Sequence, residues 1–100
     1  MLLYLIRHAH AVDAAEDPER PLSRRGIAQV RALTNFLKGS DEFAPDEIWH
    51  SPLLRSQETA ELLKQGLRLK ATPLLVPGLE PDDDPAAIAR RLTQANASVA

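Results

Sequence analysis

The chain opens on six apolar residues, Met1 to Ile6, that run without a break into Arg7 and His8. A strand with one wet face would alternate; an unbroken apolar run of this length predicts a strand covered on both faces. Residues 9–22 are polar, contain Pro18 and Pro21, and read as a loop. Fourteen residues is long for a strand-to-helix connection, and long loops in compact domains are often functional. The pattern then changes period. Ile27, Val30, Leu33 and Leu37 recur at three- and four-residue spacing, which predicts a helix capped by Ser23, reaching about Lys38 and ended by Gly39. Gly26 sits in its first turn at a propensity cost of roughly 1 kcal/mol relative to Ala. Close packing or a close ligand would account for it.

Residues 46–50 (DEIWH) predict a second strand. Ser51 followed by Pro52 is a cap-plus-proline signal, opening a helix to about Gln65 with Gly66 as its stop. Its apolar stripe is Leu53, Ala60, Leu63 and Leu67. A third strand is expected over 72–76, an acidic loop over 78–83, and a helix from Asp84 and Pro85 to about Ala95. Ser98, Val99 and Ala100 read as the start of another strand. Strands alternating with helices predict an α/β fold: a three-layer sandwich with a mostly parallel sheet and helices on both faces, incomplete at the C-terminus.

Composition narrows the function. One hundred residues suit a single small domain spanning 1–100. The net charge is −2 with both signs mixed along the chain, so no basic face is available for nucleic acid. There is no cysteine, which excludes disulfides, thiolate catalysis and cysteine-bound zinc. The opening apolar run is too short to span a membrane, and charge follows it where a secretory leader carries charge before it. A cytoplasmic protein without a membrane partner is the expectation.

Candidate chemistry collects where strands end, which is where open α/β sheets bind ligands. His8 at the end of the first strand has the chemistry of a nucleophile, base or ligand, and Arg7 beside it offers a planar fork of donors for phosphate or carboxylate. A histidine satisfied by backbone hydrogen bonds at a strand terminus is the alternative. Arg55 stands in the first turn of the second helix, where a cation is mildly unfavourable unless an anion joins it. Arg20 precedes the cap of the first helix and is placed to turn toward an anion, whereas Arg24 and Arg25 read as solvated. Glu80 follows the third strand, where a general acid is useful, although four acids within five residues also read as a solvated cluster and Asp84 has a capping role. His8 and His10 have the spacing of a metal pair, but further ligands are lacking, so no metal is expected. His50 reads as a packing residue near the site.

The segments LIRHAHA, RPLSRRG and SPLLRSQETA, in this order, resemble the histidine phosphatase superfamily, the phosphoglycerate mutase-like fold, over residues 2 to about 80. The compact R-P-L-S-x-x-G form resembles the SixA-type phosphohistidine phosphatases in particular. That resemblance implies that His8 attacks phosphorus and carries a phosphoryl group, with Arg7 and Arg55 holding its oxygens, Arg20 near the rim of the site, and no cofactor. It implies a phosphorylated protein as partner, such as a histidine-containing phosphotransfer protein in signal transduction. Many members protonate the leaving group with an acid after the third strand, in the region of Glu80; SixA-type members commonly lack it. A small phosphomonoester is the competing substrate class. The family also places a second catalytic histidine after a later strand, and no histidine follows His50 here. The expectation is an N-terminal portion of a longer domain, which self-associates through an unpaired apolar edge or is marginally stable. The other reading of that missing histidine is a non-catalytic phosphoprotein-binding module.

Overall fold

The computed structural model describes residues 3–39 and 43–94. Among them, helices α1 (Arg24–Lys38), α2 (Leu54–Leu67) and α3 (Pro85–Gln94) alternate with strands β1 (Ile48–His50) and β2 (Pro73–Leu75). The two strands run parallel in the register Ile48↔Pro73, Trp49↔Leu74, His50↔Leu75. Parallel neighbours need a crossover, and α2 supplies it. The fold is α/β, as the alternation of patterns predicts.

Helix α1 forms where its periodicity and cap place it. Ser23 is extended at φ −76° and ψ 170°, and its Oγ accepts the Gly26 N–H at 3.0 Å. Val30 is buried, and Ile27, Leu33 and Leu37 pack around a cluster of Ala9, Leu22, Val30 and Leu63. A second cluster joins Ile48, Ala60 and Ala71. Helix α2 is the shared wall, giving Leu63 to one and Ala60 to the other. Burying Val30 and Leu63 contributes roughly 1.5–3 kcal/mol each.

Gly26 is explained by packing. A Cβ there would overlap the backbone carbonyl oxygen of His10, whose segment is tied to the helix by the Ser23 N–H at 3.0 Å. Helix propensity alone predicts that Gly26→Ala stabilises the protein by about 1 kcal/mol. Overpacking against backbone costs about 1–3 kcal/mol in the other direction. The expected outcome is a net loss, lowering Tm by roughly 5 °C in scanning calorimetry; a higher Tm would contradict the close approach.

Three expectations need correction. The opening run is not a strand paired along its length: Leu3 makes only an isolated bridge, and residues 4–8 carry no ladder among the described residues. Exposure alternates, with Leu3, Leu5 and Arg7 outward and Tyr4, Ile6 and His8 half-buried. Leu5 is 87% exposed, so the second face is open where an unbroken apolar run predicts a cover. Gly66 does not stop the second helix. It lies inside α2, where a Cβ would come 2.6 Å from Thr34 Cγ2, and the glycine lets α1 and α2 approach. Arg68 takes the left-handed stop instead, at φ 53°. Ser51 does not cap α2 either, since the helix begins three residues later and its N-cap position is Leu53.

The third strand is realised as the three residues of β2, whose Leu74 and Leu75 are 45% and 59% exposed. Asp84 does open α3: its Oδ1 accepts the Ala86 N–H at 3.0 Å. Met1, Leu2, Ala95 and the strand expected at Ser98, Val99 and Ala100 lie outside the described residues. No helix among the described residues is long and apolar enough to cross a membrane.

Candidate active site

His8 stands at the end of the extended N-terminal segment, half-buried, and its ring is held on both sides. Nδ1 lies 2.7 Å from the carbonyl oxygen of Ala9. A carbonyl only accepts, so Nδ1 carries the proton. On the other side, Arg55 Nε–H donates to His8 Nε2 at 3.3 Å. A guanidinium only donates, so Nε2 keeps its lone pair. The two contacts together fix the tautomer. An imidazole with a bare Nε2 beside a permanent cation has the chemistry to attack an electron-poor centre that carries negative oxygens.

The sequence places Arg55 here through the β1–α2 connection. Strand β1 ends at His50, and the Ser51-Pro52-Leu53 turn delivers Arg55 as the second residue of α2. Ser51 Oγ accepts the Leu53 N–H at 3.3 Å, which shapes the turn without capping the helix. Leu53 provides no side-chain cap. The first-turn N–H groups of α2 therefore add their partial positive charge to that of Arg55.

Thr59, one turn along α2, ties the two ends of the site together. It is buried, accepts the Ala9 N–H at 3.1 Å and donates its hydroxyl to the Arg55 carbonyl at 2.8 Å. The spacing of Arg55 and Thr59 put both on one helix face, but nothing in the pattern showed that the hydroxyl would reach across to Ala9. Gln29 and Glu58 were also unassigned by sequence reasoning. Gln29 Oε1 accepts the His10 N–H at 2.9 Å, and Glu58 Oε1 accepts the Leu22 N–H at 2.8 Å. Both ends of the long loop are thus anchored, one to α1 and one to α2.

The other candidates sit around this pair. Arg7 is adjacent to His8 and exposed. Arg20 is half-buried at φ 50°, and its Nε–H donates to the Val12 carbonyl at 2.9 Å, closing the loop on itself. Glu80 is exposed in a turn whose backbone is bound to Asp83: the Glu80 N–H reaches Asp83 Oδ2 at 2.8 Å. His10 Nδ1 lies 2.6 Å from Ser23 Oγ, so its ring faces the start of α1 while that of His8 faces α2. Buried His50 donates from Nδ1 to the Ser51 carbonyl at 2.8 Å. A cavity of about 260 Å³ has His8, His50, Ser51, Ser56 and Thr59 in its wall, along with apolar side chains that include Tyr4, Ile48 and Leu63. The structure therefore brings His8 and Arg55 into contact, leaves Arg7 next to His8 in the chain, and gives Arg20 and Glu80 contacts within their own loops.

Known proteins resemble this chain in sequence and in fold. Residues 3–79 match the family described as the histidine phosphatase superfamily, branch 1. The phosphohistidine phosphatase SixA of Escherichia coli K12 is 34% identical over 85 residues, covering 84% of this chain and 52% of that protein. An uncharacterised protein of Picosynechococcus is 36% identical over 84 residues, covering 81% of this chain and 50% of its own length. The chain thus spans about half the length of the curated relatives it matches. A solved structure of the protein histidine phosphatase SixA complexed with tungstate superposes with a TM-score of 0.85 at 32% identity, covering 99% of this chain and 66% of that one.

Proposed function

The chain belongs to the histidine phosphatase superfamily, and we propose that it carries the phosphoryl-accepting site of a phosphohistidine phosphatase acting on a histidine-containing phosphotransfer protein. The observation that carries this reading is the bare Nε2 of His8 with the Arg55 guanidinium against it. A similar structure, that of the protein histidine phosphatase SixA complexed with tungstate, a tetrahedral oxyanion, supports it.

The reaction follows from the two contacts. As the phosphoryl group arrives, its charged oxygens attract the Arg55 N–H more strongly than a neutral imidazole nitrogen does. Arg55 shifts to an oxygen and frees Nε2. The Nε2 lone pair then attacks phosphorus, and the P–N bond to the substrate imidazole breaks. That electron pair stays on the departing nitrogen, which takes a proton from solvent. Water next attacks the phosphoryl group on His8, the P–Nε2 electron pair returns to the ring, and inorganic phosphate leaves. Arg55 and the start of α2, with Arg7 beside His8, hold positive charge where the transferring group spreads its negative charge, and Arg20, bonded to Val12 within its loop, is a candidate for the rim.

Glu80 separates this reading from a small-phosphomonoester phosphatase. An imidazole leaves with little help, whereas an alkoxide needs a proton, and a general acid contributes about 10²–10⁴-fold. With its carboxylate exposed in a loop, Glu80→Gln is expected to leave turnover of a phosphohistidine protein within about twofold of the parent. An aryl or alkyl phosphate assayed beside it tests the alternative. Efficient ester hydrolysis that collapses in the variant, with no phosphohistidine turnover in the parent, would reassign the substrate; tight binding without release of phosphate would mark a binding module.

A further inference from the structure

We propose that Thr59 is a positioning residue that sets the tautomer of His8 and its register with Arg55. The site reading above explains why a bare Nε2 is useful, and to that extent the proposal rests on it; the geometry stands on hydrogen bonds alone. Two features of Thr59 point beyond packing. First, threonine is a poor choice for the interior of a helix, because its β-branch is restricted and its hydroxyl back-bonds to the preceding turn. Thr59 does back-bond, to the Arg55 carbonyl at 2.8 Å. Second, the same oxygen accepts the N–H of Ala9 at 3.1 Å, fifty residues away in the chain. One buried hydroxyl therefore joins the backbone of Arg55 to the residue that follows His8.

The consequence reaches the reacting nitrogen through Ala9. The Ala9 carbonyl holds the Nδ1 proton of His8, at 2.7 Å. Whatever fixes Ala9 also fixes which ring nitrogen is protonated and which faces Arg55. Ala9 lies in the core cluster with Leu22, Val30 and Leu63, so packing holds its side chain. Its N–H is held by Thr59, and the peptide that carries its carbonyl is held by Gln29, whose Oε1 accepts the His10 N–H at 2.9 Å. Without the Thr59 hydroxyl, the Ala9 N–H loses its partner in a buried place, and the peptide between His8 and Ala9 turns to find another. That turn carries His8 out of register with the Ala9 carbonyl, and the ring is free to carry its proton on Nε2. That tautomer points a proton, not a lone pair, at the Arg55 guanidinium. The His8–Arg55 contact is lost with it.

The test reads the ring directly and needs no substrate. Nitrogen NMR of the histidine-labelled chain, at a pH where His8 is uncharged, is expected to show Nδ1 protonated and Nε2 bare in the parent. Thr59→Ser keeps the hydroxyl and is expected to keep that pattern. Thr59→Val keeps the shape and removes the hydroxyl; with helix content unchanged by circular dichroism, its His8 signals are expected to shift to a mixed or Nε2-protonated population. Parent-like His8 signals in a folded Thr59→Val protein overturn the proposal. Should that variant fail to fold, amide exchange on the parent decides: the Ala9 N–H is expected to be protected, and exchange at the rate of a solvent-exposed amide overturns the proposal. A failed phosphatase assay with the expected NMR pattern would refute the functional reading and leave the role of Thr59 intact.

Discussion

Replacing His8 with Ala is expected to lower turnover of a phosphohistidine substrate by roughly 10⁴-fold or more, since removing the nucleophile of a covalent mechanism costs that much in comparable sites. The loss should fall on kcat. His8 contributes to binding only by accepting the phosphoryl group, while the positive charge that attracts it resides on Arg55, Arg7 and the first turn of α2. Fold stability should fall modestly. His8 is half-buried, and its two hydrogen bonds contribute about 0.5–1.5 kcal/mol each. Unchanged circular dichroism and a Tm lower by several degrees would therefore accompany the lost activity. Turnover retained within tenfold of the parent in the folded variant would sink the mechanism, whatever the substrate.

Arg55→Ala is the second large effect, expected at about 10³-fold in kcat, the range for removing a charged donor from a phosphoryl-transfer site. Arg55→Lys should recover only part of it. Lysine carries the charge as a point and lacks the fixed fork of donors that lets one N–H leave His8 while another stays on a phosphoryl oxygen. The two changes should not add. Once His8 is absent there is no attack for Arg55 to assist, so the double variant should be no slower than His8→Ala by more than a few-fold. Steady-state kinetics on the four proteins checks this, and full additivity would mean that Arg55 acts in substrate binding apart from His8.

The parts of this account legible in the sequence are those fixed locally. Helix α1 was readable because Ser23, the apolar stripe and Gly39 all act within a few residues of one another. His8 and Arg55 were readable because each follows an apolar segment at the end where α/β folds gather ligands. What was hidden depends on neighbours distant in the chain. Gly66 looks like a helix stop, yet the approach of Thr34 from α1 requires a glycine inside α2, and the left-handed stop then falls on Arg68. Six apolar residues at the N-terminus look like a fully covered strand, yet Leu5 faces outward and residues 4–8 carry no ladder among the described residues, because covering and pairing are properties of the partner. Thr59 is visible in the sequence only as one residue of SPLLRSQETA. Its role depends on Ala9, which no local pattern connects to it.

The central claim is that the bare Nε2 of His8 becomes the phosphoryl carrier, and it is tested most directly by trapping that species. The protein is mixed with a phosphohistidine-bearing phosphotransfer protein, quenched in alkali, where a phosphorus–nitrogen bond to histidine survives, and analysed by phosphorus NMR and peptide mass spectrometry. The account predicts a phosphoryl group on His8, in the Nε2-linked isomer, lost on acidification. Steady release of inorganic phosphate with no label on His8, or a label carried on Nδ1, would contradict it.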